Sequence, residues 1–213
     1  NLVSLSPRSG GNRLIWDMRY PGFKSFEGMV LYSSPNVGPK VAPGKYNIKM
    51  TYNDQIQQKE FEIVKDPRVK ISQADYEDQL EFLINVRDEV SRANQKIIDI
   101  RNIKNNMIFI SEKTRDNTEL QEMINNYLTD VSEIENNIHM TKNQSRQDPL
   151  NYGIRINNRI AFLLADSQRG DYPPTDQSKE FFIQVKGELD SEVRKLDALI
   201  DKHSQKIENY LEE

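Results

Sequence analysis

Cysteine is absent from all 213 residues, which removes disulfides, thiol nucleophiles and cysteine-ligated zinc together. That absence leaves the compartment open, because many secreted bacterial proteins also lack cysteine. Histidine occurs only at His139 and His203, on separate segments and without an H-E-x-x-H spacing, so a histidine-built metal centre is not expected. No apolar run approaches 18 residues, so no membrane span is expected. Basic charge is not in excess. A formal net charge of -4 and a pI of about 5.4 speak against a nucleic-acid binder, which needs a basic face to release counterions. The chain opens at Asn1 without a methionine or a signal peptide, which reads as a processed form or a piece of a longer protein.

What is present divides into two halves. With 36% hydrophobic and 29% charged residues the chain can bury a core, but two modules fit its polarity better than one globule. Residues 1–66 carry the punctuation of β structure, with glycine and proline separating short runs. Arg13 to Arg19 alternates like a strand packed on one side. Lys45 to Tyr52 sets Tyr46, Ile48, Met50 and Tyr52 against polar residues in a clean two-residue period. Asn53-Asp54 then turns the chain into Gln55 to Val64, with Ile56, Phe61 and Ile63 as the inward positions. A hairpin within a small Ig-like or fibronectin-like β-sandwich is expected.

At Asp66-Pro67-Arg68 the period changes from two to 3.6, which places a domain boundary there. Ser72 to about Thr114 follows as one long helix, with Tyr76, Leu83, Val86, Val90, Ala93, Ile97, Ile100 and Met107 as a heptad stripe broken only by Lys104. Ser72 with Asp75 three residues on is a capping box. Thr118 with Gln121 is expected to open a second helix along Leu120, Ile124, Tyr127, Val131, Ile134 and Ile138, ending within 143–149. A third helix spans about Asn151 to Gln168. The fourth, from Thr175 and Asp176, carries Phe182, Val185, Leu189, Val193, Leu196, Ile200, His203, Ile207 and Tyr210. The expected class is segregated α+β: a sandwich over 1–66 and an antiparallel up-down four-helix bundle over 67–213. The helical half is expected to fold without the first.

Two stretches resemble a known family. Asn12-Arg13-Leu14-Ile15-Trp16-Asp17-Met18-Arg19-Tyr20-Pro21-Gly22 with Ala42-Pro43-Gly44-Lys45-Tyr46 resembles the N-R-x-x-W-D-x-R-Y-P and P-G-x-Y elements of secreted bacterial BNR-repeat, sortilin-like β-propeller proteins, often described as glycosyl hydrolases. The W-D and P-G-x-Y elements also occur in flagellar hook-capping Ig-like domains. Leu150 to Ile160, then Gly170-Asp171 and Pro174 to Ser178, are similar to the L-N-Y-P-I-R-x-N-N and G-D-x-x-P-T-D-Q-S segments of that family's helical tail, and Asp66-Pro67-Arg68 at the module boundary also resembles the pattern. Gly153 stands where the pattern has proline. The resemblance implies the region that follows the propeller, a secreted or periplasmic location, and an upstream β-propeller of the same polypeptide as partner. The family's S-x-D-x-G-x-T-W boxes are missing, so no propeller site carries over.

The polar cluster Asn151, Arg155, Asn157, Asn158, Asp171, Thr175, Asp176 and Gln177 is the candidate binding site. It flanks the connection between the third and fourth helices, where it either serves recognition or caps helix ends through side-chain to backbone bonds. Trp16-Asp17 reads as a sugar platform or, more simply, as core. Phe181-Phe182 reads as core, and His203, within the fourth stripe, as a packed or partly exposed neutral ring. No catalytic residue, metal or cofactor is expected. Three functions follow: an accessory region of a propeller protein, a stand-alone glycan- or peptide-binding module using the loop between the third and fourth helices or a sandwich edge, and an enzyme. The last is weakest, since no nucleophile and base set is visible.

Overall fold

The computed structural model describes residues 8–203 and Ile207 in full, and the remaining backbone of the last helix to Glu212. Residues 1–7 of the first module, and Tyr210 at the end of the fourth stripe, lie outside the fully described residues. Helix α1 (Gln73–Lys113) begins where reciprocal capping fixes it: Ser72 Oγ accepts the Asp75 N–H at 3.2 Å, and the Asp75 carboxylate accepts the Ser72 N–H at 2.8 Å. Its 41 residues make a rod about 60 Å long. The stripe from Tyr76 to Ile100 is buried and Met107 partly so. Lys104 interrupts it for a reason. Its Nζ lies 2.9 Å from the Glu135 carboxylate, and Arg101 Nε lies 2.9 Å from the other oxygen of the same group.

The second helix, α2 (Thr118–Ile138), is capped one residue earlier than expected, by Asn117 Oδ1 on the Leu120 N–H at 3.0 Å. Gln121 instead ties the turn back to the carbonyls of Ser111 and Thr114. Glycine then splits the expected third helix. A single turn, α3 (Pro149–Tyr152), ends at Gly153, whose φ is 79°, and α4 (Ile156–Ser167) restarts the helix. The long α5 (Asp176–Glu212) closes the chain. Helix α1 packs on α2, α4 and α5, and α5 packs on α2 and α4.

Gly153 also donates its N–H to the Pro149 carbonyl at 2.9 Å. Proline lacks that donor and is held near φ of about -65°, so the proline of the resembled pattern cannot take this conformation. Gly153→Pro should therefore cost roughly 2 to 3 kcal/mol. Unchanged urea midpoints would contradict this account of the turn.

The hairpin forms as the period indicated. Strands β1 (Gly44–Tyr52) and β2 (Gln55–Ile63) pair antiparallel, Tyr46 opposite Phe61 and Tyr52 opposite Gln55. Asn53 and Asp54 take φ of 46° and 65°, the two-residue turn whose twist suits a hairpin. Ile56 corrects one expectation: it lies opposite Thr51, on the face away from Phe61, and is exposed.

The expected architecture is overturned. Among the described residues the hairpin is the only sheet, five helices make up 54% of the chain, and the protein is not a β-sandwich followed by a four-helix bundle. The alternation at Arg13 to Arg19 does not become a strand, because Met18 adopts φ 57° and the Trp16 Nε1–H donates to the Arg19 carbonyl at 3.0 Å, closing a local turn. Only an isolated bridge between Arg19 and Lys40 remains, flanked by the bonds Tyr20 N–H to Pro39 O and Val41 N–H to Met18 O. Trp16 packs edge-on to Tyr46 and Phe61 but stays 39% exposed, so it caps the hairpin base instead of filling a core.

Residues 20–38 form an arm that lies on the helices and so supply no second sheet. Phe23 is buried in the helical core, with Phe26, Met29 and Leu31 packed behind it. Irregular backbone against a packed surface must find partners for its polar groups. Here the helices provide them. Ser91 Oγ accepts the Lys24 N–H at 3.0 Å, Asn94 Nδ2 donates to the Lys24 carbonyl at 2.6 Å, and Arg101 Nη1 donates to the Glu27 carbonyl at 2.8 Å.

Candidate functional site

The polar residues that the sequence singles out do not converge on one point. Asn157 and Asn158 open α4 and face inward, and both are buried. Asn158 clamps the arm from both sides: its Oδ1 accepts the Tyr32 N–H at 2.7 Å, and its Nδ2 donates to the Tyr32 carbonyl at 3.0 Å. The Asn157 Nδ2 group bridges Asn94 Oδ1 at 3.1 Å and His139 Nδ1 at 3.2 Å. A buried amide chain thus runs from α4 through α1 to the arm. Thr175 caps α5, its Oγ1 accepting the Ser178 N–H at 3.1 Å. Asn151, Asp176 and Gln177 are exposed at helix ends. Arg155 begins α4 without a capping bond and lines a separate cleft of about 330 Å³ beside the Arg159–Glu188 ion pair.

Asp171 is the exception, since it lines a larger cleft of about 370 Å³ where five segments meet. Apolar side chains line it, from Val41, Ala42, Leu80 and Leu83, together with charged ones, from Asp17, Arg19, Lys40, Lys65, Asp66 and Asp171. Arg19 Nη1 fixes the arm side, donating to the Gly38 carbonyl at 2.8 Å and to Gln168 Oε1 at 3.0 Å. From the helix side the buried Gln79 Nε2 donates to the carbonyls of Ser167 and Gly170, at 3.0 and 2.7 Å. These bonds tie the loop that carries Asp171 to both walls.

Tyr76 Oη stands 3.4 Å from Asp171. Burial, and then the carboxylates of Asp171 and Asp66, push its hydroxyl up, so it remains a protonated donor and not a base. Hydrogen bonds from Arg68 hold the Asp66 carboxyl below its ordinary value. A glycosidase acid needs the opposite shift. The cleft sets charged side chains beside apolar ones, an arrangement that can hold a polar molecule. Tyr76, Gln79 and Arg19 escaped the sequence reading as site residues. Tyr76 looked like one more stripe position, although Arg19 lay within the quoted W-D-x-R-Y segment. Among the described residues no group of three or more His, Asp or Glu side chains could hold a metal ion, and no helix is long and apolar enough to cross a membrane.

No protein-family model, curated protein or solved structure matches the chain.

His139 gives the arm interface a pH dependence. Burial, then the charge of Arg101, lowers its pKa to about 4, against the weaker opposing effects of Asn157 and Glu135. Phe26 lies edge-on to its ring at 4.9 Å and beneath the Arg101 guanidinium at 4.7 Å. The unfolded chain takes up this proton near pH 6.5 and the folded chain only near 4, so the stabilisation is complete above 6.5 and is lost as pH falls toward 4. Its size is about 3 kcal/mol. His139→Gln should flatten the fall in the urea midpoint across that window. An equally steep fall would assign the acid lability elsewhere.

Proposed function

We propose that this chain is a non-catalytic accessory region of a secreted BNR-repeat, sortilin-like β-propeller protein of the glycosyl hydrolase type, acting through contacts and not through turnover. One observation supports the reading: several of the segments that resemble that family meet at one junction, with Leu150 to Ile160 and Pro174 to Ser178 lying apart from it. Asp17 and Arg19 of the W-D-x-R-Y segment, Asp66 of the boundary triplet and Gly170-Asp171 of the tail line one cleft. Asn158 of the N-N pair holds the intervening arm. Residues that act as a clamp between parts of one body need no substrate to explain them. In the parent protein a signal peptide and an upstream propeller rich in S-x-D-x-G-x-T-W boxes would precede this region, and the propeller would be its intramolecular partner.

The test is a purified-protein screen against a broad glycoside and peptide panel, with the upstream reading frame sequenced alongside. No turnover, and a run of propeller boxes upstream, are the expected results. Turnover abolished by Asp171→Asn would defeat the reading. A second reading, a glycan- or peptide-binding module in its own right, is favoured by the 370 Å³ cleft that the Asp171 loop helps to line. A glycan array and a peptide array separate the two readings, since binding sensitive to Asp171→Asn supports only the second.

A further inference from the structure

The β1 strand has one hydrogen-bonded neighbour, and among the described residues no strand pairs with its other edge. The register places Tyr46, Ile48, Met50 and Tyr52 on one face of the hairpin. Ile48, Met50 and Tyr52 are 55%, 56% and 55% exposed. An isolated hairpin is marginal in water, and an open edge behind an apolar row is a template for another strand. The strand itself indicates which one.

Set antiparallel to a second β1 about Ile48, each position meets a compatible one: Ile48 meets Ile48, Tyr46 meets Met50, Asn47 meets Lys49, and Lys45 meets Thr51. Apolar residues face apolar residues and no like charges oppose each other. The other edge fails the same test. About its own centre β2 sets Lys59 against Lys59 and Phe61 against Gln57. Self-complementarity about a two-fold axis is what an isologous dimer requires, and only the β1 edge has it.

We infer that two copies of this chain join through β1, antiparallel about Ile48, into a four-stranded sheet of order β2-β1-β1-β2. The two apolar rows become its central stripe, and the polar β2 row with Lys59, Gln57 and Gln55 flanks them on each side. The interface is independent of the proposed function.

Charge exchange at the two-fold axis tests it. Ile48→Lys would line up four lysines across the joined sheet, two of them Lys59. Ile48 is exposed in the hairpin, so the helices should keep their circular dichroism. By sedimentation equilibrium the wild type is expected to be dimeric, Ile48→Lys monomeric, and a mixture of Ile48→Lys with Ile48→Glu a mixed dimer. A wild type that stays monomeric at the highest concentration reached would overturn the inference. So would an Ile48→Lys variant that dimerises as the wild type does, or folded variants that fail to pair when mixed.

Discussion

Ile97→Asp should bring the protein to the edge of unfolding. Ile97 lies near the middle of α1 with no exposed surface, within the core that α1 shares with the other long helices. Aspartate there is an unpaired charge out of reach of water, at a cost of several kcal/mol. Total stabilities are about 5 to 15 kcal/mol, so a large part of the margin is lost. Asp99→Asn, two residues on, is the control. Asp99 accepts from Gln95 at 2.7 Å and stands 4.0 Å from Lys96 on a half-exposed face, where such pairs contribute about 1 kcal/mol or less. Matching urea midpoints for the two variants would mean that the buried face of α1 has been misassigned.

The second large loss is expected at Phe23, which belongs to no helix or strand. Its ring is 4% exposed in a core otherwise built from residues 82–207. Phe23→Ala leaves a ring-sized void that the fixed helices cannot fill, at a cost of about 3 to 5 kcal/mol. Phe109→Ala on the outer face of α1 should change stability little, because Phe109 is 61% exposed. If the two variants unfold alike, the arm is not part of the core.

The four longer helices were legible because each carries an apolar stripe at helical spacing, and two of them carry a start signal at the expected residue. Ser72-Asp75 marks α1 and Thr175 marks α5, and both act as their spelling indicates. The arm was not legible. Residues 20–38 carry the glycine and proline spacing of strand turns, yet their backbone bonds run to Ser91, Asn94, Arg101 and Asn158, up to 126 positions away. Nothing local in the sequence announces such partners. Asn94 was unreadable for the same reason. An amide within a polar-looking helix is read as solvated, and only the arm turns it into a buried donor. Of the candidate site, the Asn-Asn pair and Asp171 do bridge segments, whereas Asp176 and Gln177 lie exposed in the first turn of α5. The cleft at Asp171 required knowing that residues 17, 66, 76 and 171 are neighbours.

Hydrogen exchange tests most directly whether the polar residues of the resembled segments hold arm and helices as one body. Tyr32 donates its N–H to Asn158 Oδ1 at 2.7 Å, and Tyr20 donates its own to the Pro39 carbonyl at 2.8 Å. If the clamp is structural, both amides exchange with the same opening free energy as the Ile97 amide in α1, since only global unfolding frees them. In Asn158→Ala the Tyr32 amide should then exchange far faster while Ile97 stays protected. Fast exchange at Tyr32 in the wild type, with Ile97 still protected, would contradict the account and return Asn157 and Asn158 to the list of residues free to bind a ligand.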